Sequence, residues 1–259
     1  MGRYCFHGIG TPQDQAKAAS LFEKAALQGN ALAQNVLGLC YRKGTGVPKD
    51  PIKAKEWYEK AAEQNNMNAQ SDLGYMYDVG EGVPQDHKKA VFWYQKAAEQ
   101  GSAMSQFNLA LCFANGKGVP EDQTKAAFWY QKAAEQGNAG AQSKLGYAHL
   151  FGEGVPQDQE KAAFWYRKAA EQGNAEAQGR LGAMCYSGEG TPRDYAEAAT
   201  WCEKAALQGN ERGQFLLATC YYEGKGVQKD YAKAKEWFTK AAMQGNEEAK
   251  EILKVLLKA

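Results

Sequence analysis

A Gly-x-Gly followed by Val or Thr begins at Gly8, Gly44, Gly80, Gly116, Gly152, Gly188 and Gly224, a period of 36 residues without an insertion. Self-similarity at roughly 20 to 50 residues marks stacked supersecondary units, each too small to bury its own apolar face. A single Gly-x-Gly at the end of a strand would suggest a phosphate cradle, because one nucleotide needs one loop of backbone N–H groups aimed at it. Seven copies in register argue for a structural unit instead. The 259 residues therefore form one quasi-one-dimensional array, 1–259, rather than one or two globular domains.

The charge balance narrows the partners. With 31 basic and 30 acidic side chains, there is no field to draw in nucleic acid or an anionic membrane, and no like-charge block reads as a tail. No apolar run approaches the roughly 18 to 20 residues that span a bilayer. The expectation is a soluble protein, monomeric, in the cytoplasm or, if a leader was removed, in the periplasm or outside the cell. The opening "MGRYCFHG" lacks the charged start and apolar centre of a signal peptide. Met1-Gly2 falls in register with Leu37-Gly38 and Leu73-Gly74, so residues 1–7 read as the end of a truncated helix and the chain as a fragment of a longer array.

With each repeat numbered from its first glycine, Gly152 is slot 1 and Asp158 is slot 7. Slot 7 is Asp in all seven repeats, from Asp14 to Asp230. Standing before an alanine-rich stretch, it reads as an N-cap. That helix runs to slot 21, always Gln, and stops at slot 22, Gly in six repeats and Asn65 in one, where a left-handed C-cap is expected. Asn or Ser at slot 23 caps a second helix from slot 24 to about slot 35. Slots 11, 14, 15 and 18 (Ala162, Trp165, Tyr166 and Ala169) recur at helical spacing and form one buried stripe; slots 26, 30 and 34 (Ala141, Leu145, His149) form its partner. The segment 247–259 reads as a capping helix.

These residues carry a resemblance. The pattern from Leu73-Gly74-Tyr75-Met76-Tyr77 through Gly80 to Trp93-Tyr94-Gln95-Lys96-Ala97-Ala98 is similar to the Sel-one-like repeat family, relatives of the tetratricopeptide repeats, over essentially the whole chain. The resemblance implies an all-α, right-handed α/α superhelical solenoid that serves as an adaptor or receptor for other proteins, with many bacterial members. In the family's cysteine-rich branch, Cys pairs at slots 19 and 27 staple adjacent helices. Here slot 19 is always Ala and slot 27 is Gln six times and Lys250 once, so that framework is absent.

Nothing in the sequence converges as a catalytic or metal site. The three histidines (His7, His87, His149) share no slot, and there is no nucleophile elbow, HExxH or CxxC. No enzyme activity and no cofactor are expected. Of the six cysteines, Cys40, Cys112 and Cys220 share slot 33 and read as small buried apolar residues. Cys185 and Cys202 differ: they occupy slots 34 and 15, which large residues fill as a pair in other repeats, and so are candidates for a disulfide under oxidising conditions.

A binding surface follows by subtraction. On the second helix, slots 25, 28, 32, 35 and 36 point away from the core direction, onto the face that lines the concave groove in tetratricopeptide-like solenoids. A solvated face should be Lys, Glu and Gln. This one carries Tyr75, Phe107, Leu111, Tyr147, Leu150, Phe151, Tyr186, Phe215 and Tyr222, aromatic and aliphatic residues of the kind that anchor protein interfaces. Slot 29 reads Asn108, Lys144 and Arg180 in consecutive repeats, which suggests carboxylate contacts to an extended peptide. The expected function is a module that binds a protein or peptide. The alternative is an inhibitor or immunity-type protein that binds one enzyme or toxin tightly.

Overall fold

The computed structural model describes residues 14–256, which form fourteen α-helices and no strand. They are α1 (Gln15–Leu27), α2 (Ala31–Lys43), α3 (Pro51–Glu63), α4 (Met67–Val79), α5 (His87–Glu99), α6 (Ala103–Asn115), α7 (Gln123–Glu135), α8 (Ala139–Phe151), α9 (Gln159–Glu171), α10 (Ala175–Ser187), α11 (Tyr195–Leu207), α12 (Glu211–Glu223), α13 (Tyr231–Met243) and α14 (Glu247–Leu256). Consecutive helices pack as pairs, the arrangement of an α/α solenoid. The truncated start expected over 1–7 lies outside the described residues, as does the end of the capping segment beyond Leu256.

The capping chemistry is repeated almost atom for atom. In α9 the Asp158 carboxylate accepts from the Lys161 N–H at 2.9 Å, and in α10 the Asn174 side chain accepts from the Ala177 N–H at 2.9 Å. Each first helix ends at slot 20, one residue earlier than its sequence suggests, with Gln as the C-cap. The loop that follows each second helix is closed by the slot-7 N–H donating back to the slot-34 carbonyl, as from Asp158 to His149 at 2.8 Å.

The Gly-x-Gly is a packing device. Its first glycine is the left-handed C-cap of the second helix, as at Gly188 (φ 83°). The second has positive φ and lies on the N-terminus of the preceding repeat: a Cβ on Gly190 would stand 2.1 Å from the Gln159 carbonyl oxygen, and one on Gly226 only 1.9 Å from that of Tyr195. The space that a phosphate would need at this glycine is filled by the neighbouring helix.

Two polar and steric motifs join one repeat to the next. Slot-27 Gln donates to the slot-19 carbonyl of its own hairpin, as from Gln178 to Ala170 at 3.0 Å, and accepts from the slot-21 Gln of the following repeat, as from Gln208 at 2.8 Å. The same bond joins Gln64 to Gln34, Gln100 to Gln70, Gln172 to Gln142 and Gln244 to Gln214. Slots 19 and 27, which cysteines occupy in the resembling branch, are thus joined here by a hydrogen bond. In three places the slot-15 tyrosine presses on the slot-31 glycine of the repeat before, Tyr58 on Gly38, Tyr94 on Gly74 and Tyr166 on Gly146: a Cβ on Gly74 would lie 2.5 Å from Tyr94.

The expected core stripes are largely buried, but Tyr41, Phe113 and Tyr221 of slot 34 are half-buried. So are most of the tryptophans of slot 14, with the ammonium of slot-17 lysine above the ring, 4.3 Å from the Trp57 centroid for Lys60 and 3.9 Å from Trp237 for Lys240.

The chain divides into two compact units, one ending at Trp129 and one beginning at Tyr130, a division that falls within α7. In a stack each repeat touches its neighbours, so the core of each unit is local. In the first, the core gathers around Tyr58, Leu73, Met76, Tyr94 and Leu109. In the second, it gathers around Tyr166, Leu181, Met184 and Cys185, and again around Phe238.

Candidate functional site

The second unit contains a groove of about 470 Å3 along the second helices of successive repeats. Its lining comes from α8 (Leu150, Phe151), α10 (Arg180, Ala183, Tyr186) and α12 (Arg212, Leu216). A second hollow of about 280 Å3 shares Ala183, Arg212 and Leu216 with it and adds Glu211, Phe215, Asn246 and Glu248. All these positions on α8, α10 and α12 belong to slots 24, 25, 28, 29, 32, 35 and 36. They face one way because the opposite stripe, Leu145, Leu181 and Leu217 at slot 30, is buried at 0 to 1% exposure.

The aromatic candidates divide by what holds them. Phe151 is 51% and Tyr222 is 37% exposed. Tyr147, Leu150 and Tyr186 are half-buried against the core around Tyr166. The Tyr186 hydroxyl donates to Glu223 of the next repeat and accepts from Lys225 at 3.3 Å, and its ring stands edge-on to Tyr195 at 5.1 Å. Phe215 is packed against Phe238, ring centroids 5.7 Å apart. Tyr186 and Phe215 therefore belong to the packing between repeats as well as to the groove, because a long side chain at slot 28 or 35 reaches the first helix of the following repeat. In the first unit, Tyr75 is 43% exposed with the Arg42 guanidinium 5.4 Å above its ring, whereas Phe107 and Leu111 are half-buried.

The polar candidates of slot 29 fall in both units. Asn108 lies in the first unit, beside the buried Tyr94 hydroxyl. Lys144 is exposed on α8 and does not line the groove. Arg180 does line it, but its Nε donates to Glu176 at 2.9 Å while its charge lies 5.6 and 5.8 Å from the Tyr147 and Phe151 centroids. Burial alone would raise the Glu176 carboxyl, but hydrogen bonds from Arg180 and Asn210 outweigh it and hold the group below the usual carboxylate range.

Slot 29 also answers slot 15. Where slot 15 is tyrosine (Tyr58, Tyr94, Tyr130, Tyr166), slot 29 is polar (Asp72, Asn108, Lys144, Arg180); where it is Phe22, Cys202 or Phe238, slot 29 is Val36, Leu216 or Ile252. The hydroxyls of Tyr58, Tyr94 and Tyr166 are buried without a closed hydrogen bond. Their surroundings include Asp72, Asn108 and Arg180 respectively. A dipole left among aliphatic groups is costly, which accounts for the matched choice. The signal was present in the sequence as a covariation between repeats.

The unengaged cation of the groove is Arg212, at slot 25. Its Nε is buried with no hydrogen-bond partner, and among the described residues it forms no ion pair. The sequence placed slot 25 on this face without marking Arg212, since one arginine among variable residues has no pattern.

Outside the second helices, Phe92, Phe128 and Phe164 at slot 13 are 52%, 53% and 52% exposed, each edge-on to the tryptophan that follows it. The His87 Nδ1 meets the Asp78 carboxylate at 3.0 Å, and His149 is buried. No group of three His, Cys, Asp or Glu able to hold a metal exists among the described residues, and none of their helices is long and apolar enough to cross a membrane. Cys185 and Cys202 are free, buried thiols in this structure. Cys202 fills the notch over Gly182, where a Cβ would be 2.5 Å from its sulfur. Burial, reinforced by Glu197, pushes the Cys185 thiol up to about 12, so the thiolate that disulfide exchange requires is scarce. Cys5 lies outside the described residues.

The Sel1 repeat pattern matches residues 1–30, 31–66, 68–102, 103–138, 139–174, 175–210 and 212–246. In that frame each internal match pairs a second helix with the first helix of the next repeat. Among solved structures, the chain is similar to a protective antigen present in uropathogenic Escherichia coli strains that displays an SLR fold. The identity is 38% and the TM-score 0.92, over 98% of this chain and 55% of that one. It is also similar to a Sel1 repeat protein from Oxalobacter formigenes, with 38% identity and a TM-score of 0.76, over 98% of this chain and 74% of that one. The chain thus spans about half the length of the E. coli antigen. No curated protein matches it. With seven matches in register across the helix pairs, the chain belongs to the Sel1 repeat family.

Proposed function

We propose that the chain is a non-enzymatic module that binds a partner protein, holding an extended segment of it in the groove across α8, α10 and α12. The observation that carries this reading is the lining: exposed Phe151 and half-exposed Ala183 beside Arg212, which has no ion pair among the described residues, flanked by Leu150 and Leu216, whose other sides pack on the core. Apolar surface next to an unsatisfied charge is the composition of an interface, where aromatic and arginine anchors dominate the energy. Members of the Sel1 repeat family typically mediate protein–protein interactions, in accord with this role.

Filling the groove tests it. Ala183 lies half-exposed on its floor, so Ala183→Arg obstructs the site without removing a packed side chain. The melting temperature should stay within a few degrees, while a partner retained by the wild-type protein is lost. Equal retention by the variant places the partner elsewhere. If the partner is an enzyme whose activity falls on binding, the module is an inhibitor rather than an adaptor.

A further inference from the structure

We infer that the groove reads an acidic residue inside an extended peptide, with an apolar residue on one side of it and a basic residue on the other; this deepens the binding reading above and rests on it. Arg42, Arg167 and Arg180 each have a carboxylate, from Asp72, Glu197 and Glu176. Arg212 has none, and its Nε is withdrawn from solvent. Its charge acts on Glu176, which is already bonded by Arg180 and Asn210; a buried guanidinium N–H without an acceptor is costly, and a carboxylate that meets the planar fork recovers that loss.

The position of Arg212 decides which carboxylate. It lines both hollows, with Ala183 and Leu216 at their junction. A free C-terminus on Arg212 would stop the ligand there and leave one hollow empty. An acidic side chain lets the backbone run through both.

The two hollows differ in chemistry. On the α8 side, Leu150 and Phe151 offer apolar surface. The Arg180 charge there already faces the Tyr147 and Phe151 rings and Glu176. On the far side stand the carboxylates of Glu211, which accepts from Asn246, and of Glu248. Side chains on one face of an extended strand recur about every 6.6 Å, and packed helices lie about 8 to 10 Å apart. The helix spacing exceeds one such repeat, so ligand residues about two or three positions apart address successive helices. The segment reads apolar, acidic, basic, each about two or three residues from the next, in one chain direction.

Display of random twelve-residue segments, internal to a phage coat protein, against the immobilised full chain tests this. Enriched sequences should carry the apolar, acidic and basic residues in that order, about two or three positions apart. A synthetic peptide of that consensus, amidated at its C-terminus, should bind the wild type about tenfold or more better than it binds Arg212→Gln. The peptide should lose as much when its own acidic residue becomes an amide, a comparison that requires no change to the protein. Glu248→Gln should weaken binding severalfold. Enriched segments that lack an acidic residue or ignore Arg212→Gln, or a consensus peptide that binds only when its C-terminal carboxylate is left free, overturn the inference; if Ala183→Arg still abolishes binding, the groove reading stands. Segments indifferent to Ala183→Arg as well, or no enrichment at all, overturn both.

Discussion

Gln208 donates its side-chain amide to the side-chain oxygen of Gln178 at 2.8 Å, while Gln178 donates to the Ala170 carbonyl at 3.0 Å. One side chain thereby ties its own hairpin and the next repeat together, and Gln178 is 4% exposed. Gln178→Leu takes one donor from the Ala170 carbonyl, which keeps the Gly173 N–H, and one acceptor from the Gln208 amide, which keeps the Gly173 carbonyl at 3.1 Å; the loss should be about 0.5–1.5 kcal/mol. Gln208→Leu should cost less, since its amide is more exposed. The double variant should be less destabilised than the sum of the two, measured by denaturant unfolding; strict additivity would show that the two amides are not coupled.

The matching of slots 15 and 29 makes a second prediction. Tyr166→Phe removes a hydroxyl that has no closed hydrogen bond and should change stability by less than about 1 kcal/mol. Arg180→Leu strips the polar neighbour from that hydroxyl and one of two hydrogen-bond donors from Glu176, which keeps Asn210, and should cost about 1–3 kcal/mol. Combining them recreates the apolar pairing of Cys202 with Leu216 and Phe238 with Ile252, so the double variant should regain part of the loss. A double variant worse than Arg180→Leu alone would refute the pairing.

The loop glycines separate steric from conformational demand. Gly226 has φ 72°, and an added Cβ would lie 1.9 Å from a backbone oxygen of the neighbouring repeat. Gly226→Ala therefore adds overpacking of about 1–3 kcal/mol to a left-handed strain of about 1–2 kcal/mol. Gly209 has φ 82° with nothing within 4 Å, and Asn65 already occupies the equivalent slot at φ 62°. Gly209→Asn should cost under about 1 kcal/mol. Similar melting temperatures for the two variants would contradict the close approach.

The pH dependence follows from the capping carboxylates. Asp86, Asp122 and Asp158 are held below the ordinary aspartate value, first by the backbone N–H groups they accept from, and Glu197 is held down by Arg167. A folded-state pKa below the unfolded one stabilises fully above the unfolded value, about 3.9 for Asp and 4.3 for Glu, and is lost as pH falls through the folded value. Asp72, raised by burial despite Arg42, acts in the opposite sense but alone. The melting temperature should be flat from about pH 8 to 5.5 and fall below about pH 4. Asp158→Asn, which caps without titrating, should blunt the fall; a rise in stability toward pH 3 would contradict the assignment.

Much of this protein was legible one residue at a time. Slot-7 Asp, slot-22 Gly and slot-23 Asn fix helix ends through bonds to backbone groups within three or four residues, so period and caps could be read from the chain. The Ala, Leu and Tyr stripes could be read because helical spacing places them on one face whatever lies opposite. The face that became the groove could be read for the same reason.

Tertiary structure decided what happens between repeats. Phe215 and Tyr186 look like free anchors in the sequence, yet their rings and hydroxyl meet Phe238, Tyr195 and Glu223 of the following repeat. The slot-29 ladder looks like a row of ligand contacts, yet Arg180 is held by Glu176, and it is Arg212, from a slot with no pattern, that is left unpaired. Helical periodicity states which way a side chain points. It does not state how far the neighbouring helix lies or which of its atoms arrive there, and those distances determine whether a charge is satisfied within the fold or remains open to a partner.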